Sequence, residues 1–151
     1  MRGRGEADDV DELLAEARSR LRRLTPEEAL AAQRDGALLI DTRSHDERRR
    51  SGVIPGSLHV PLSVLPWRLD PAVDPELRSP YVGGLKHQLV LVCEHGYSSS
   101  LAAATLLDLG STRVTDLDGG FEAWQARGLP VRPASEPDAS VRPGMGLPEP
   151  V

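Results

Sequence analysis

Gln88-Leu-Val-Leu-Val-Cys93-Glu-His-Gly96-Tyr-Ser-Ser-Ser100-Leu-Ala-Ala-Ala-Thr-Leu-Leu-Asp-Leu-Gly110 is the stretch on which the fold turns. Gln88 to Val92 is the strongest strand pattern in the chain: short, continuous, apolar, as for a strand buried on both faces of a parallel sheet. Gly96 marks a tight loop, and Leu101 to Leu109 reads as a helix that Gly110 ends. Strand, short loop and helix form the unit of an open α/β sheet, whose ligands sit beyond the carboxyl ends of the strands. Cys93 falls at that position.

The pattern repeats upstream and downstream. Thr25-Pro26-Glu27-Glu28 is a capping box with proline at the first helical position, opening a helix to about Arg34 that Asp35-Gly36 stops. Ala37 to Ile40, ending in Asp41, reads as a buried strand, His45 to Arg50 as a short helix closed by Gly52, and Ser57 to Val60 as a second strand after the Ile54-Pro55-Gly56 turn. Residues 70–86, rich in Pro and Gly, read as an irregular connection. Arg113 to Leu117 gives another strand, Asp118-Gly119-Gly120 a turn, and Phe121 to Arg127 a last helix. The expected architecture is α/β: three layers, with a central parallel sheet flanked by helices.

Two segments flank this domain, expected at 25–131. Residues 1–24 read as an N-terminal helical extension whose 8–24 portion is amphipathic, with Val10, Leu13, Leu14, Ala17, Leu21 and Leu24 on one face. Its acids lie early and its Arg18, Arg20, Arg22 and Arg23 lie late, which suits the helix dipole, and Glu16 precedes Arg20 at the favourable spacing. The arginine cluster reads as a solvated helix end rather than a nucleic-acid patch, and the helix either packs on the domain or docks on a partner. Residues 132–151 read as a Pro-rich, disordered tail, since six of the 13 prolines fall in the last 22 residues.

Composition closes off several functions. One cysteine among 151 residues forms neither an intrachain disulfide nor a cysteine-rich zinc site. Net charge is −5, against nucleic-acid binding by bulk electrostatics. No apolar run is long enough for a membrane span, and the N-terminus lacks the apolar stretch of a signal peptide, so a cytoplasmic location is expected. His45, His59, His87 and His95 are scattered without ligand spacing, and no dinucleotide or P-loop fingerprint is present.

Cys93 has a plain reading as a small buried hydrophobe. Its context favours a reactive thiol: a short Gly96 loop running into a helix can aim several backbone N–H groups at one atom, which stabilises a thiolate. A protonated His95 would help, and Glu94 would oppose if its side chain pointed inward. A cysteine phosphatase needs Arg six residues after its cysteine to hold phosphate, and Ser99 stands there instead.

Four segments, in order, resemble the rhodanese family of sulfurtransferases over about residues 24–131. Asp41-Thr-Arg43 is similar to that family's Asp-x-Arg motif, with Glu47 where an acid follows. Gly52-Val-Ile-Pro-Gly56-Ser resembles its Gly-His-Ile-Pro-Gly-Ala segment, with Val53 in place of His. Cys93 to Ser99 aligns with its active-site loop, and Leu117-Asp-Gly119-Gly120-Phe-Glu-Ala-Trp124, then Gly128-Leu-Pro130, resembles its C-terminal signature. The resemblance implies a domain that carries sulfur as a persulfide on Cys93 by a ping-pong route, with no metal or organic cofactor. Glu94, His95, Gly96, Tyr97, Ser98 and Ser99 would form the anion-binding loop, and Asp41 and Arg43 would support it structurally. The partners implied are a small sulfur donor or a protein persulfide, and a thiol or other nucleophilic acceptor.

Many members carry Arg where this chain has Ser98. With Glu94 also in the loop, thiosulfate is expected to be a poor donor. The alternative from another class is a binding or regulatory module that keeps the fold, turns over weakly and uses the loop to recognise an anion or a partner.

Overall fold

The computed structural model describes residues 8–151. Four parallel strands, β1 (Leu38–Asp41), β2 (Leu58–His59), β3 (Leu89–Val92) and β4 (Val114–Asp116), form one sheet in the order β2-β1-β3-β4. The helices are α1 (Val10–Ser19), α2 (Pro26–Arg34), α3 (His45–Ser51), α4 (Leu65–Leu69), α5 (Ser98–Asp108) and α6 (Gly120–Ala126), with a 3-10 turn at Leu62–Val64. In-register pairing of Leu38 to Asp41 with Leu89 to Val92 puts β3 at the centre and aligns the carboxyl ends of β1 and β3.

Alternation along the central strands divides the core in two. Ile40, Leu89, Leu91 and Val114 face Leu65 and Leu69 of α4 and Ala102, Ala103 and Leu106 of α5. Leu39, Val90 and Val92 face Ala29 of α2 and Phe121 and Trp124 of α6. Both faces of the sheet are covered, which explains the unbroken apolar runs of β1 and β3. The three-layer α/β architecture expected from the sequence is the one observed.

Local signals worked as written. Thr25 and Glu28 close a reciprocal capping box on α2, and Ser44 and Glu47 close another on α3. Glu47 thus has a local role. Two boundaries move: α4 arises in a stretch with no clear sequence pattern, and α5 begins at Ser98, so Ser98 to Ser100 form its first turn.

The flanking segments depart further from expectation. The N-terminal helix ends at Ser19 rather than Leu24 and packs on α5. Leu24 instead pairs in parallel with Leu117 at the edge of β4, its N–H donating to the Asp116 carbonyl at 3.2 Å. Arg20 reaches Asp108 of α5, while Arg18 and Arg23 turn inward; the arginine cluster is only partly a solvated helix end.

Residues 132–151, read as a disordered tail, lie ordered against the domain. Val53 and Arg132 exchange both backbone hydrogen bonds, Glu149 exchanges backbone bonds with Gly56 and Ser57, and its buried carboxylate meets Arg48 at 2.6 Å. The Arg68 guanidinium donates to the Pro143 carbonyl. Backbone pairing and buried arginines hold this segment, so its shortage of large apolar residues was a poor guide.

Candidate functional site

The carboxyl end of β3 delivers Cys93 into a loop that α5 closes. Its Sγ accepts hydrogen bonds from the backbone N–H of Gly96 at 3.1 Å and of Ser99 at 3.4 Å. The thiol donates to Ser99 Oγ at 3.2 Å, and Cys93 is only 6% exposed. Amide donors aimed at one sulfur from a tight loop and a helix first turn suit an anion there.

Three loop carbonyls are pulled away from the sulfur. Phe121 and Glu122, at the start of α6, donate their N–H groups to the carbonyls of Cys93 (2.8 Å) and Glu94 (3.0 Å). The Gly96 carbonyl accepts from Arg18 Nη2 at 2.7 Å and Arg23 Nη2 at 2.9 Å. In a trans peptide the C=O and the following N–H point in opposite directions, so fixing these carbonyls sets the direction of the Glu94, His95 and Tyr97 amides and holds the loop that carries the Gly96 donor. Such closeness needs glycine: Gly120 has φ +64°, and a Cβ there would sit 2.5 Å from the Cys93 carbonyl oxygen.

The remaining predicted loop residues divide. Glu94 does not point at the sulfur; its carboxylate meets Arg43 at 3.1 Å. His95 is exposed, with Nδ1 2.8 Å from Glu122. Tyr97 is exposed beneath the Arg18 guanidinium, and Ser98 lines the cleft mouth. Ser99 is fully buried and donates its hydroxyl to Asp116 at 2.7 Å.

Asp41 and Arg43 form a buried frame beside the loop. Asp41 accepts from the Arg43 backbone and guanidinium and from Arg48. Arg43 also donates to Glu94 and to the Gly52 carbonyl, and its guanidinium lies 3.9 Å over the Phe121 ring. Burial works against its charge, but the bonds and charges of Asp41 and Glu94 prevail and raise its pKa.

Sequence reading missed the layer behind the loop. Asp116 is fully buried and accepts from Ser99 and Ser100 hydroxyls and from Arg23 at two nitrogens. A charged residue in an apolar strand was the available signal. Nothing local pointed to Arg18 and Arg23, more than 70 residues away in sequence.

The cleft that opens onto Cys93 has a volume of about 490 Å³ and is lined by Arg43, Ser44, Glu47, Leu62 and Ser63 as well as the loop. No helix among the described residues is long and apolar enough to cross a membrane.

The fold is thus an α/β domain whose central strand leads to a lone buried cysteine, held by amide donors at the foot of an open cleft. The chain belongs to the rhodanese-like domain family, whose model matches residues 25–127, and it is similar to proteins named thiosulfate sulfurtransferases. It is 36% identical over 104 residues to a thiosulfate sulfurtransferase, GlpE, of Stutzerimonas stutzeri, covering 69% of this chain and 84% of the relative. Among solved structures it is similar to the human single-domain sulfurtransferase TSTD1, with 28% identity, a TM-score of 0.57, and 70% of this chain and 96% of the other covered. It is also similar to a Rhodopseudomonas palustris protein of unknown function described as a possible tyrosine phosphatase. That match has 30% identity and a TM-score of 0.71, and covers 87% of this chain and all of the other.

Proposed function

We propose that this protein carries sulfane sulfur as a persulfide on Cys93 and passes it to a nucleophilic acceptor. The observation that carries the reading is the Cys93 sulfur itself, buried at the end of β3 and receiving backbone N–H donors from Gly96 and Ser99. The thiolate attacks the outer sulfur of a donor; the bond from that sulfur to the rest of the donor breaks, and the leaving group departs with the electron pair. Cys93 is then a persulfide anion, for which the amide cradle is suited. An acceptor nucleophile attacks the terminal sulfur, the S–S bond breaks, and the Cys93 thiolate returns.

Thiosulfate fits this cleft as a weak donor. Arg43 is the one guanidinium lining the cleft among the described residues, and Asp41 and Glu94 already occupy it; Glu47 adds a further acid. A less charged donor or a protein persulfide meets less repulsion. Ser98→Arg is expected to raise thiosulfate turnover by placing a cation at the mouth, and an unchanged or lower rate would show that the missing charge does not limit this donor. Phosphatase chemistry has no support from the site, because Ser99 stands where a phosphate-binding Arg is needed and its hydroxyl is committed to Asp116.

Incubation with sulfur donors followed by intact mass tests the central step: the wild type gains one sulfur and Cys93→Ser gains none. If no donor loads Cys93, the sulfurtransferase reading fails and an anion- or partner-recognition module remains.

A further inference from the structure

The segment that precedes the family-matched residues reaches into the sulfur site. Arg18, on α1, donates Nη2 to the Gly96 carbonyl at 2.7 Å and Nε to Ser100 Oγ at 3.1 Å. Arg23 donates Nη2 to the same carbonyl at 2.9 Å, and holds both oxygens of Asp116 through Nε and Nη2. One peptide oxygen thus accepts two charged donors, while the N–H of Gly96 donates to the Cys93 sulfur on the other side of the residue.

The consequences are geometric and electrostatic. Two guanidinium bonds fix the Gly96–Tyr97 peptide and so pin the loop at Gly96, whose own N–H, in the preceding peptide, is the one that reaches the sulfur. Two cations also stand behind the loop that must hold a negative sulfur. Burial works against the Arg23 charge, but the Asp116 bonds and the Asp116 and Asp118 charges outweigh it and raise its pKa, so this cation persists.

We infer that Arg18 and Arg23 are positioning residues for the anionic sulfur of Cys93, acting from behind the loop where many family members place a cation within it. The inference rests on the persulfide reading for its importance, but not for its test. The other charged groups around the site are accounted for. Asp116 is compensated by Arg23, Ser99 and Ser100; Asp118 meets Arg23; Glu94 is paired with Arg43, which Asp41 also holds; and Glu122 faces His95 at the exposed edge. Ser99 lies between Cys93 and Asp116, so Asp116 reaches the sulfur through that hydroxyl.

The test compares the full chain with Arg18→Gln, Arg18→Lys and Arg23→Gln. Alkylation of Cys93 by iodoacetamide is followed against pH, beside thermal unfolding and sulfur loading by intact mass. Arg18→Gln and Arg23→Gln are each expected to move the alkylation midpoint up by about half a unit to one unit. Both should slow loading at neutral pH by about five- to tenfold. Arg18→Lys, which keeps the charge, is expected to lie between Arg18→Gln and wild type. A merely structural role for α1 would lower the unfolding temperature and leave the midpoint in place. Midpoints within error of wild type in both folded charge-removing variants would overturn the inference. If the wild type takes up no sulfur, the sulfurtransferase reading fails separately, while the alkylation midpoints still decide the role of the arginines.

Discussion

Ser99 has one hydroxyl proton and two neighbours that compete for it. With the thiol protonated, Cys93 donates to Ser99 Oγ and Ser99 donates to Asp116. Once the sulfur is ionised, the hydroxyl gains by turning to it, and Asp116 keeps the Ser100 hydroxyl and two Arg23 donors. Ser99→Ala leaves the backbone N–H donor and the fold in place, and is expected to slow loading about threefold to tenfold through loss of one hydrogen bond to the charged sulfur. An unchanged loading rate would remove Ser99 Oγ from the account. Gly120→Ala tests the loop's support: its Cβ would meet the Cys93 carbonyl at 2.5 Å on a backbone at φ +64°, so a loss of ~2 kcal/mol in denaturant melts and impaired loading are expected. His59 sets a pH dependence. It donates Nε2–H to the Arg43 carbonyl at 2.7 Å, and burial, then the Arg48 charge, pushes its pKa down from 6.5 to about 4. Between those values the unfolded chain binds a proton that the folded chain does not, so this contribution is complete above pH 6.5 and is lost as pH falls towards 4. The ring is only partly buried, and after allowing for solvent screening the effect is ~1–2 kcal/mol. Denaturant melts at pH 7 and pH 4.5 should show a smaller pH difference for His59→Gln than for wild type, and equal differences would contradict it.

At the scale of elements, what sequence could show depended on whether the cause was local. Capping boxes at Thr25 and Ser44, the apolar runs of β1 and β3 and the Gly110 stop are each written within a few residues, and each element appeared. Cys93, Gly96 and Ser99 were legible for the same reason: strand, loop and helix are contiguous. The inward turn of Arg18 and Arg23 and the docking of residues 132–151 depend on partners 70 to 100 positions away, and no periodicity encodes them. Composition misled for the tail because backbone pairing at Val53, Gly56 and Ser57 and the Arg48–Glu149 contact do not need bulky apolar side chains. Glu149→Gln is accordingly expected to cost ~1–3 kcal/mol in unfolding free energy, since Arg48 is buried and retains Asp41 alone as its carboxylate partner. A change below about 0.5 kcal/mol, the size of an ordinary surface substitution, would show that the tail contributes little to the folded state.

At the scale of the whole molecule, the sheet gathers every part of the site at one end. β3 leads to Cys93, β1 carries Asp41 and leads to Arg43, β4 carries Asp116, and α6 and the N-terminal segment hold the loop from two sides. The cleft is left with little free positive charge to attract an anionic donor, whereas the proposed persulfide at Cys93 has amide donors of its own. The central claim is that Cys93 accepts a sulfur atom. Intact mass of the full chain after incubation with thiosulfate, an uncharged polysulfane and a protein persulfide tests it most directly. One added sulfur on the wild type, faster from the less charged donors and absent in Cys93→Ser, is the expected result. No sulfur from any donor, or equal uptake by Cys93→Ser, would contradict it.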